Sequence, residues 1–347
     1  MEAASKHLEV ETRGIRRRIA TAGLLAVLAT SLLLAVPPLR GVLDEVLHIG
    51  PGWIAAAIGL EVVSCLGFVV IFRLFFETLP ARQARRVAWT EMASGALLPG
   101  GGLGGLAIGG WLMHMTGVPT KRIVQRSSGL FFLTSGVNVA VVATAGLVLL
   151  VGLVPGPHDA LRTALPIAAA VAAAAAVLAL PRLVSDRRRW ASRLVAGIRD
   201  AESALRHPSW RLAGAVAFLL CDIAVLWVTF TAVGNAPPLA ALVLAYMLGY
   251  LANIIPVPGG IGVLDSGLAG MLVAYGAPAT HAAAAVLVYH AIAFWVPGLG
   301  GLGAYALLRR QLVGSSRPPV AAPCEERARV RGSGMAVPQG ALPGPCA

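Results

Sequence analysis

The sequence is short of charge and of catalytic motifs, and each shortage excludes a class of protein. Only 13% of its 347 residues are Asp, Glu, Lys or Arg, about half the share found in soluble domains. A surface with so little charge would not stay dispersed in water, which excludes an ordinary soluble domain. No Walker A, HExxH or GxSxG motif is present, and the four cysteines lack metal-ligand spacing. We therefore expect no enzyme, no metal and no cofactor.

Apolar residues are what the sequence has in abundance, at 57% of the chain and a mean hydropathy of +0.77. An apolar run of about 20 residues is long enough to cross a bilayer as a helix. Six runs meet this length: 19–36, 52–76, 123–153, 161–182, 211–233 and 280–308. We therefore expect an all-α polytopic membrane protein in which the first run is retained as a helix.

The net charge of +12 comes from basic residues whose positions predict the membrane topology. The basic residues form short clusters between apolar runs instead of a basic face interleaved with aromatics, so we expect no nucleic-acid partner. They concentrate before the first run, after the second, in 182–211 and after the last, and cytoplasmic loops retain Lys and Arg. This pattern predicts a multi-pass protein of the plasma (cell) membrane with both termini cytoplasmic. Residues 1–18 would form a basic cytoplasmic N-terminus, and 311–347 a disordered cytoplasmic tail.

Two further apolar segments, 87–119 and 240–278, are interrupted near their centres. Each break contains a Pro-Gly-Gly triplet, formed by Pro99, Gly100 and Gly101 in the first and by Pro258, Gly259 and Gly260 in the second. The limbs on either side are too short to cross a hydrocarbon core of about 30 Å. Broken backbone at this depth is tolerated where it is buried in protein or lines a wet cavity. We therefore predict two re-entrant helical hairpins.

The two breaks are in register, because the triplets and the later Gly-x-Pro turns are each 159 residues apart. The offset predicts a duplication with halves at about 52–153 and 211–310, each reading span, hairpin, span. Counted from a cytoplasmic N-terminus, the halves have opposite directions. Inverted repeats with broken helices are typical of secondary transporters. The alternative is that the glycines only permit tight helix packing.

Four ionisable residues at membrane depth are candidate site residues, because charge there costs about 2.5–3.5 kcal/mol on insertion scales. Asp265 follows the second break, where it contacts substrate or a proton, or caps a helix. Asp222 and Glu61 lie at near-equivalent depth in the two halves. They carry protons, bind a cationic head group, or pair with Arg126, Arg73 or a hairpin N–H. Arg126 holds a lipid phosphate or extends to the inner surface.

Three other polar features have milder interpretations. Glu91 and His114 lie on opposite limbs of the first hairpin, and His290 lies in the last span. We expect each histidine to be hydrogen-bonded within the helix bundle. The segment 183–210 is either an amphipathic helix or a plain solvated connector. As a helix it would lie on the inner leaflet with four apolar residues toward the lipid: Trp190, Leu194, Val195 and Ile198.

The second break resembles the flippase-like membrane domain of lysylphosphatidylglycerol synthases. The matching stretch is Ile255-Pro-Val-Pro-Gly-Gly-Ile-Gly-Val-Leu-Asp265, which is similar to that family's Pro-Gly-Gly turn followed by Gly and an acidic residue. Arg126 matches an Arg of the helix after the first hairpin. Two departures are the absence of an acid from Gly100 to Gly110 and Asp265 in place of the usual Glu. The resemblance covers about 20–310, so a flippase-like domain is expected over 19–310.

In the namesake proteins this domain moves an aminoacylated lipid between leaflets, and a separate soluble domain makes that lipid. The resemblance therefore implies movement of a lipid or lipid-linked substrate without aminoacyl transfer. The alternatives are a non-catalytic scaffold or accessory subunit of a cell-envelope assembly, and a membrane-embedded enzyme acting on lipid. Membrane lipids are the expected partners, and the sequence is also compatible with a homo-oligomer or a cell-envelope partner protein.

Overall fold

The computed structural model describes residues 37–98, 102–183, 189–255 and 257–315, and every regular element within them is helical. The α-helices of these ranges are α1 (Pro37–Leu47), α2 (Pro51–Phe75), α3 (Ala81–Leu97), α4 (Gly102–Met115), α5 (Thr120–Leu150), α6 (Ala164–Leu183), α7 (Arg189–Arg206), α8 (Ala213–Val233), α9 (Leu239–Gly249), α10 (Val263–Ala274) and α11 (Ala279–Ser315). Three 3-10 turns lie at Trp210–Leu212, Tyr250–Ile254 and Pro258–Gly260. Contacts divide the chain into Met1–Tyr305 and Ala306–Ala347.

Five described helices are long and apolar enough to cross a membrane, and they confirm five of the six predicted spans. Their bounds are Pro51–Phe75, Thr120–Leu150, Ala164–Pro181, Trp210–Val233 and Ala279–Arg310. At a rise of 1.5 Å per residue, even 18 residues reach about 27 Å, close to the thickness of the hydrocarbon core. The predicted span at 19–36 lies outside the described residues. Of the predicted disordered tail, 311–347, residues 311–315 continue the last helix, and the remainder lies outside the described residues.

The outward faces of these helices are apolar, which fits lipid as their solvent. Only 6% of the apolar window of α6 is buried, and large side chains such as Leu178, Phe131 and Trp295 are more than half exposed. Water would not tolerate such continuous apolar surface on a monomer. The chain is therefore an all-α polytopic membrane protein.

Both predicted breaks separate short helices. The first lies between α3 and α4, of 17 and 14 residues, and the second between α9 and α10, of 11 and 12. These helices are about 17–26 Å long. The partners pack closely through glycine: a Cβ at Gly105 would lie 2.7 Å from the Glu91 carbonyl oxygen, and one at Gly267 would lie 2.8 Å from that of Gly249. Each break therefore joins two short helices that pack against each other.

Helix boundaries and turns recur at the offset of 159. Helices α4 and α10 end at Met115 and Ala274, and the turns that follow place Gly117 and Gly276 at φ of +88° and +97°. Both turns close with the same bond: Val118 N donates to Met113 O at 3.1 Å, and Ala277 N donates to Leu272 O at 3.0 Å. Because a positive φ favours glycine, the repeated Gly-x-Pro spelling reflects one turn used twice.

The opening helices of the two halves, α2 and α8, pack directly against each other. A Cβ at Gly67 would lie 2.8 Å from the carbonyl oxygen of Gly214 and from the backbone nitrogen of Phe218. One turn away, Ser64 Oγ donates to Phe218 O at 2.8 Å. Backbone meets backbone at this crossing, so the two halves are held together by an interface that leaves no room for larger residues.

The segment predicted as an amphipathic helix or a connector is helical, as α7. Its apolar face packs inside the protein, since Val195 and Ile198 are 7% and 2% exposed. A Cβ at Gly197 would lie 2.9 Å from the Gln125 carbonyl oxygen and 3.0 Å from the nitrogen of Gly129. The prediction that these apolar residues face lipid is therefore wrong for Val195 and Ile198, because two glycines let α7 lie directly on α5.

Candidate functional site

The second break is built from glycines in conformations that other residues rarely adopt. Gly259, Gly260 and Gly262 have φ of +67°, +67° and +83°, in the left-handed region where a Cβ causes strain. A Cβ at Gly259 would also lie 2.9 Å from the ring of Phe294 on α11. The break is thus a turn that only glycine fits, pressed against the last helix.

Asp265 caps the helix that leaves this turn, as one of the sequence hypotheses predicts. Its Oδ2 accepts a bond from Gly262 N at 2.8 Å, at the positive end of α10. Its other oxygen contacts Nδ1 of His290 on α11, and the second ring nitrogen, Nε2, lies 2.9 Å from the carbonyl oxygen of Gly259. His290 therefore ties both sides of the break to α11.

These contacts fix the number of protons on the Asp265–His290 pair. The Gly259 carbonyl can only accept, so His290 Nε2 carries a hydrogen and donates it. Nδ1 faces a carboxyl group, so one more proton lies between the two side chains: on the imidazole, or on Asp265 with a neutral ring. Either way the pair has no net charge. The side chains of His290 and Asp265 are 11% and 28% exposed, so the neutral pair remains accessible on the Asp265 side.

A second polar cluster lies where α2, α8, α9 and α11 meet. Tyr246 donates to Oδ2 of Asp222, and the hydroxyl of Tyr289 lies 3.1 Å from Oδ1 and 3.2 Å from Oδ2. Glu61 of α2 is an electrostatic neighbour of Asp222 of α8. The structure thus brings together the two acids that the sequence places at equivalent depth, and surrounds Asp222 with tyrosines.

Glu61 has weaker hydrogen-bond partners than Asp222 within this cluster. It is 5% exposed, Oε1 accepts a weak bond from Cys65 Sγ at 3.7 Å, and Oε2 has no hydrogen-bond partner among the described residues. No described Lys, Arg or His forms an ion pair with Glu61 or Asp222. The hypothesis that Arg126 or Arg73 pairs with these acids therefore receives no support within these ranges.

Arg126 pairs elsewhere, with Asp200 of α7. Its Nη1 lies 3.7 Å from Asp200 Oδ2, which also accepts a bond from Gln125 Nε2 at 2.9 Å. The Arg126 side chain remains 40% exposed. It is therefore brought together neither with Asp265 nor with the buried acids, and it joins α5 to α7.

The first break differs from the second. Pro99, Gly100 and Gly101 lie outside the described residues. On α3, Glu91 is 5% exposed, its Oε2 has no described partner, and it occupies the space that Gly109 of α4 leaves open. The glycine makes room for an acid between the two helices of this pair.

A cavity of about 650 Å³ lies beside α4 and α5. Most of its wall is apolar, including Leu106, Trp111, Phe131 and Phe132, with His114 among the few polar groups. Leu106 and Phe131 are the positions that the offset of 159 relates to Asp265 and His290. Where the second half has a polar pair, the first half has an apolar cavity.

The sequence alone did not assign site roles to His290, Tyr246, Tyr289 or Cys65. One signal was present in the repeat for three of them, because His290, Tyr246 and Tyr289 stand at positions where the first half has apolar residues, Phe131, Val87 and Leu130. Their contacts, however, join residues as far as 67 positions apart, which local pattern does not reveal.

Comparison with known proteins identifies the family to which this chain belongs. The model of the family described as "Lysylphosphatidylglycerol synthase TM region" matches residues 19–301. A UPF0104 membrane protein of Methanothermobacter thermautotrophicus is 33% identical over 92 residues, which are 26% of this chain and 26% of that protein. The chain thus matches about a quarter of that relative's length. Because the family model covers most of the chain, the protein belongs to the lysylphosphatidylglycerol synthase TM region family.

Proposed function

We propose that this protein moves a lipid or lipid-linked molecule between the leaflets of the plasma membrane, without enzymatic activity. The observation that carries the proposal is the Asp265–His290–Gly259 contact at a glycine-built break in a helix pair too short to span the bilayer. Non-helical backbone at membrane depth is tolerated where it is buried in protein or lines a water-filled cavity. The family's name, which refers to the membrane region of a lipid synthase, supports the same substrate class.

The proposal includes opposite directions for the two halves. With both termini in the cytoplasm, α2 runs inward and α8 outward, so the α3–α4 pair enters from the cytoplasm and the α9–α10 pair from outside. The basic residues support this direction, since Lys121 and Arg122 follow the first pair and no Lys or Arg lies close to the ends of the second. Two inverted halves can rock against each other around a central site.

The proposed substrate site is the second break. The N-terminus of α10 carries a partial positive charge that attracts an anionic group such as a phosphate. A lone Asp265 would cancel that attraction, but its proton-sharing contact with His290 leaves the pair neutral. At Gly262, which is exposed and has no atom within 4 Å of the position of a Cβ, the headgroup can approach the backbone closely. Arg126, still 40% exposed, would meet the headgroup where it enters from the cytoplasmic side.

Lipid movement can be measured directly in reconstituted vesicles. Phosphatidylglycerol vesicles would contain a small amount of fluorescent phosphatidylglycerol, and dithionite would bleach only the outer leaflet. With the wild-type protein, we expect dithionite to bleach more fluorescence than the outer leaflet contains, because lipid from the inner leaflet moves outward. With Asp265→Asn, we expect this additional bleaching to be slower. The matched control is Asp44→Asn, at an exposed residue outside the site, which should leave the rate unchanged.

The outcomes separate the competing functions. If Asp265→Asn and Gly260→Leu retain the wild-type rate at wild-type abundance, the second break is not the site. A second outcome is that the wild-type protein matches empty vesicles with phosphatidylglycerol, aminoacylated phosphatidylglycerol and polyprenyl phosphate probes alike. That result would reject lipid movement for these classes and favour the scaffold of a cell-envelope assembly.

A further inference from the structure

The cluster around Glu61 and Asp222 places two carboxyl groups near each other without a basic partner among the described residues. The two groups are electrostatic neighbours, and no described Lys, Arg or His forms an ion pair with either. Two negative charges in contact within a low-dielectric interior repel each other strongly. At least one of the two groups must therefore bind a cation, and the smallest candidate is a proton.

The hydrogen bonds indicate which carboxyl group carries the charge. Asp222 receives the hydroxyl hydrogens of Tyr246 and Tyr289, which replace water around a carboxylate. Glu61 receives only the weak thiol donor of Cys65; the residue is 5% exposed, and its buried Oε2 has no described partner. An ionised Glu61 would leave a buried charge without support. The stable arrangement is a protonated Glu61 beside an ionised Asp222.

Every other titratable group that faces the pair is neutral in this arrangement. These groups are Cys65 on α2, Cys221 on α8, Tyr246 and Tyr250 at the second helix pair, and Tyr289 on α11. No described cation belongs to this set, so within the described residues only a bound proton offsets the second negative charge.

From this geometry we infer that Glu61 and Asp222 form a proton-binding site at the contact of the two halves, linked to the break through α11. The link is one peptide unit long, since Tyr289 touches Asp222 and the next residue, His290, touches Asp265. A movement of α11 at the break withdraws the Tyr289 hydroxyl from Asp222. Asp222 then binds a proton from water, and the proton returns to water when Tyr289 returns.

This inference rests on the proposed function for its transport part, and it assigns the coupling ion to a proton. It also provides a physical reason for placing the acids on α2 and α8. Because each half contributes one carboxyl group, the proton affinity of the pair depends on how closely the halves approach. A cluster confined to one half would not sense that approach.

Infrared spectroscopy of the purified protein tests the site without any transport. A protonated carboxyl group has a C=O stretching band that shifts in D2O. We expect the wild-type protein to show this band at neutral pH, and Glu61→Gln to lower its intensity by one carboxyl group. The control is Glu77→Gln, at an exposed glutamate paired with Arg211, which should leave the band intact. An unchanged band in Glu61→Gln would overturn the inference.

Vesicles with an imposed pH difference test the link to transport. We expect fluorescent phosphatidylglycerol to move at a rate that depends on the pH difference in the wild-type protein and not in Glu61→Gln, whereas Glu77→Gln behaves as wild type. If Glu61→Gln lacks the infrared band but the rate of lipid movement by the wild-type protein does not depend on the pH difference, the proposed coupling of proton binding to lipid movement is wrong. If the band is present and no lipid moves, the proposed function fails while the proton site stands.

Discussion

The two halves of this protein share one scaffold and differ in the chemistry that it carries. Helix ends, Gly-x-Pro turns and turn hydrogen bonds recur at an offset of 159. Yet Asp265 and His290 correspond to Leu106 and Phe131, and Asp222 corresponds to Val63. The difference teaches that the described parts of the two halves share the geometry around a broken helix pair, while the contact between Asp265 and His290 has apolar residues at its counterpart positions. One half offers an apolar cavity, and the other offers a neutral polar pair.

The largest expected effect comes from giving the second half the residues of the first. The double substitution Asp265→Leu and His290→Phe removes a charge-assisted contact of about 1.5–3 kcal/mol, so we expect lipid movement to slow at least about tenfold. The vesicle assay measures the rate, and detergent-extracted protein gives abundance. Conservative changes in the first half, Leu106→Ile and Phe131→Leu, serve as controls and should leave the rate near wild type. A full rate in the double variant would mean that the asymmetry has no functional role.

The next effect is on the interface that holds the halves together. Gly67→Leu forces a side chain against the backbone of Gly214, and overpacking of this kind costs about 1–3 kcal/mol. We expect a lower thermal unfolding temperature in detergent. The matched control is Gly59→Leu in the same helix, where no atom lies within 4 Å of the added Cβ. Equal unfolding temperatures for the two variants would contradict a close crossing of α2 and α8.

A smaller loss is expected from Tyr289→Phe, which removes one donor from the partly buried Asp222. A hydrogen bond to a charged group contributes about 1.5–3 kcal/mol, with part recovered by rearrangement of Tyr246. We therefore expect a modest fall in unfolding temperature and a displaced carboxyl band in the infrared spectrum. Tyr305→Phe, in the same helix and 38% exposed, should change neither. If both variants behave alike, Tyr289 does not support Asp222.

Arg126→Ala should have the smallest effect. A half-exposed pair with nitrogen and oxygen 3.7 Å apart contributes at most about 1 kcal/mol, so we expect a slight change in stability. If Arg126 also meets the headgroup, the lipid rate falls a few fold and Arg126→Lys restores part of it. Arg206→Ala removes a comparable exposed pair in α7 and controls for lost surface charge. An unchanged lipid rate would confine Arg126 to joining α5 and α7.

Much of the fold was predictable because the bilayer imposes strong constraints. Length and hydropathy placed α2, α5 and α8 within a few residues, and the Pro-Gly-Gly triplet at Pro258 located the second break. The cap formed by Asp265 was also predictable, since an acid three residues into a helix is a local signal. These features depend on residues that are close together in the sequence.

Contacts between distant helices were not predictable in this way. The tie from His290 to the break depends on how α11 packs, and neighbouring glycines in α5 and α7 turned Val195 and Ile198 inward instead of toward lipid. The equivalent depth of Glu61 and Asp222 was visible from the repeat, but their tyrosine partners were not. The packing of distant helices determines which polar groups contact each other, and a local pattern in one sequence does not reveal that packing.

The opposite direction of the two halves underlies every functional proposal, and cysteine labelling tests it most directly. Thr120 and Ala279 are equivalent, exposed first residues of α5 and α11. Each would be changed to cysteine in a variant whose four native cysteines are alanine, and intact cells would be treated with a membrane-impermeant maleimide. We predict that Ala279→Cys is labelled in intact cells and that Thr120→Cys is labelled only after the membrane is opened. Labelling of both residues from the same side would contradict the inversion.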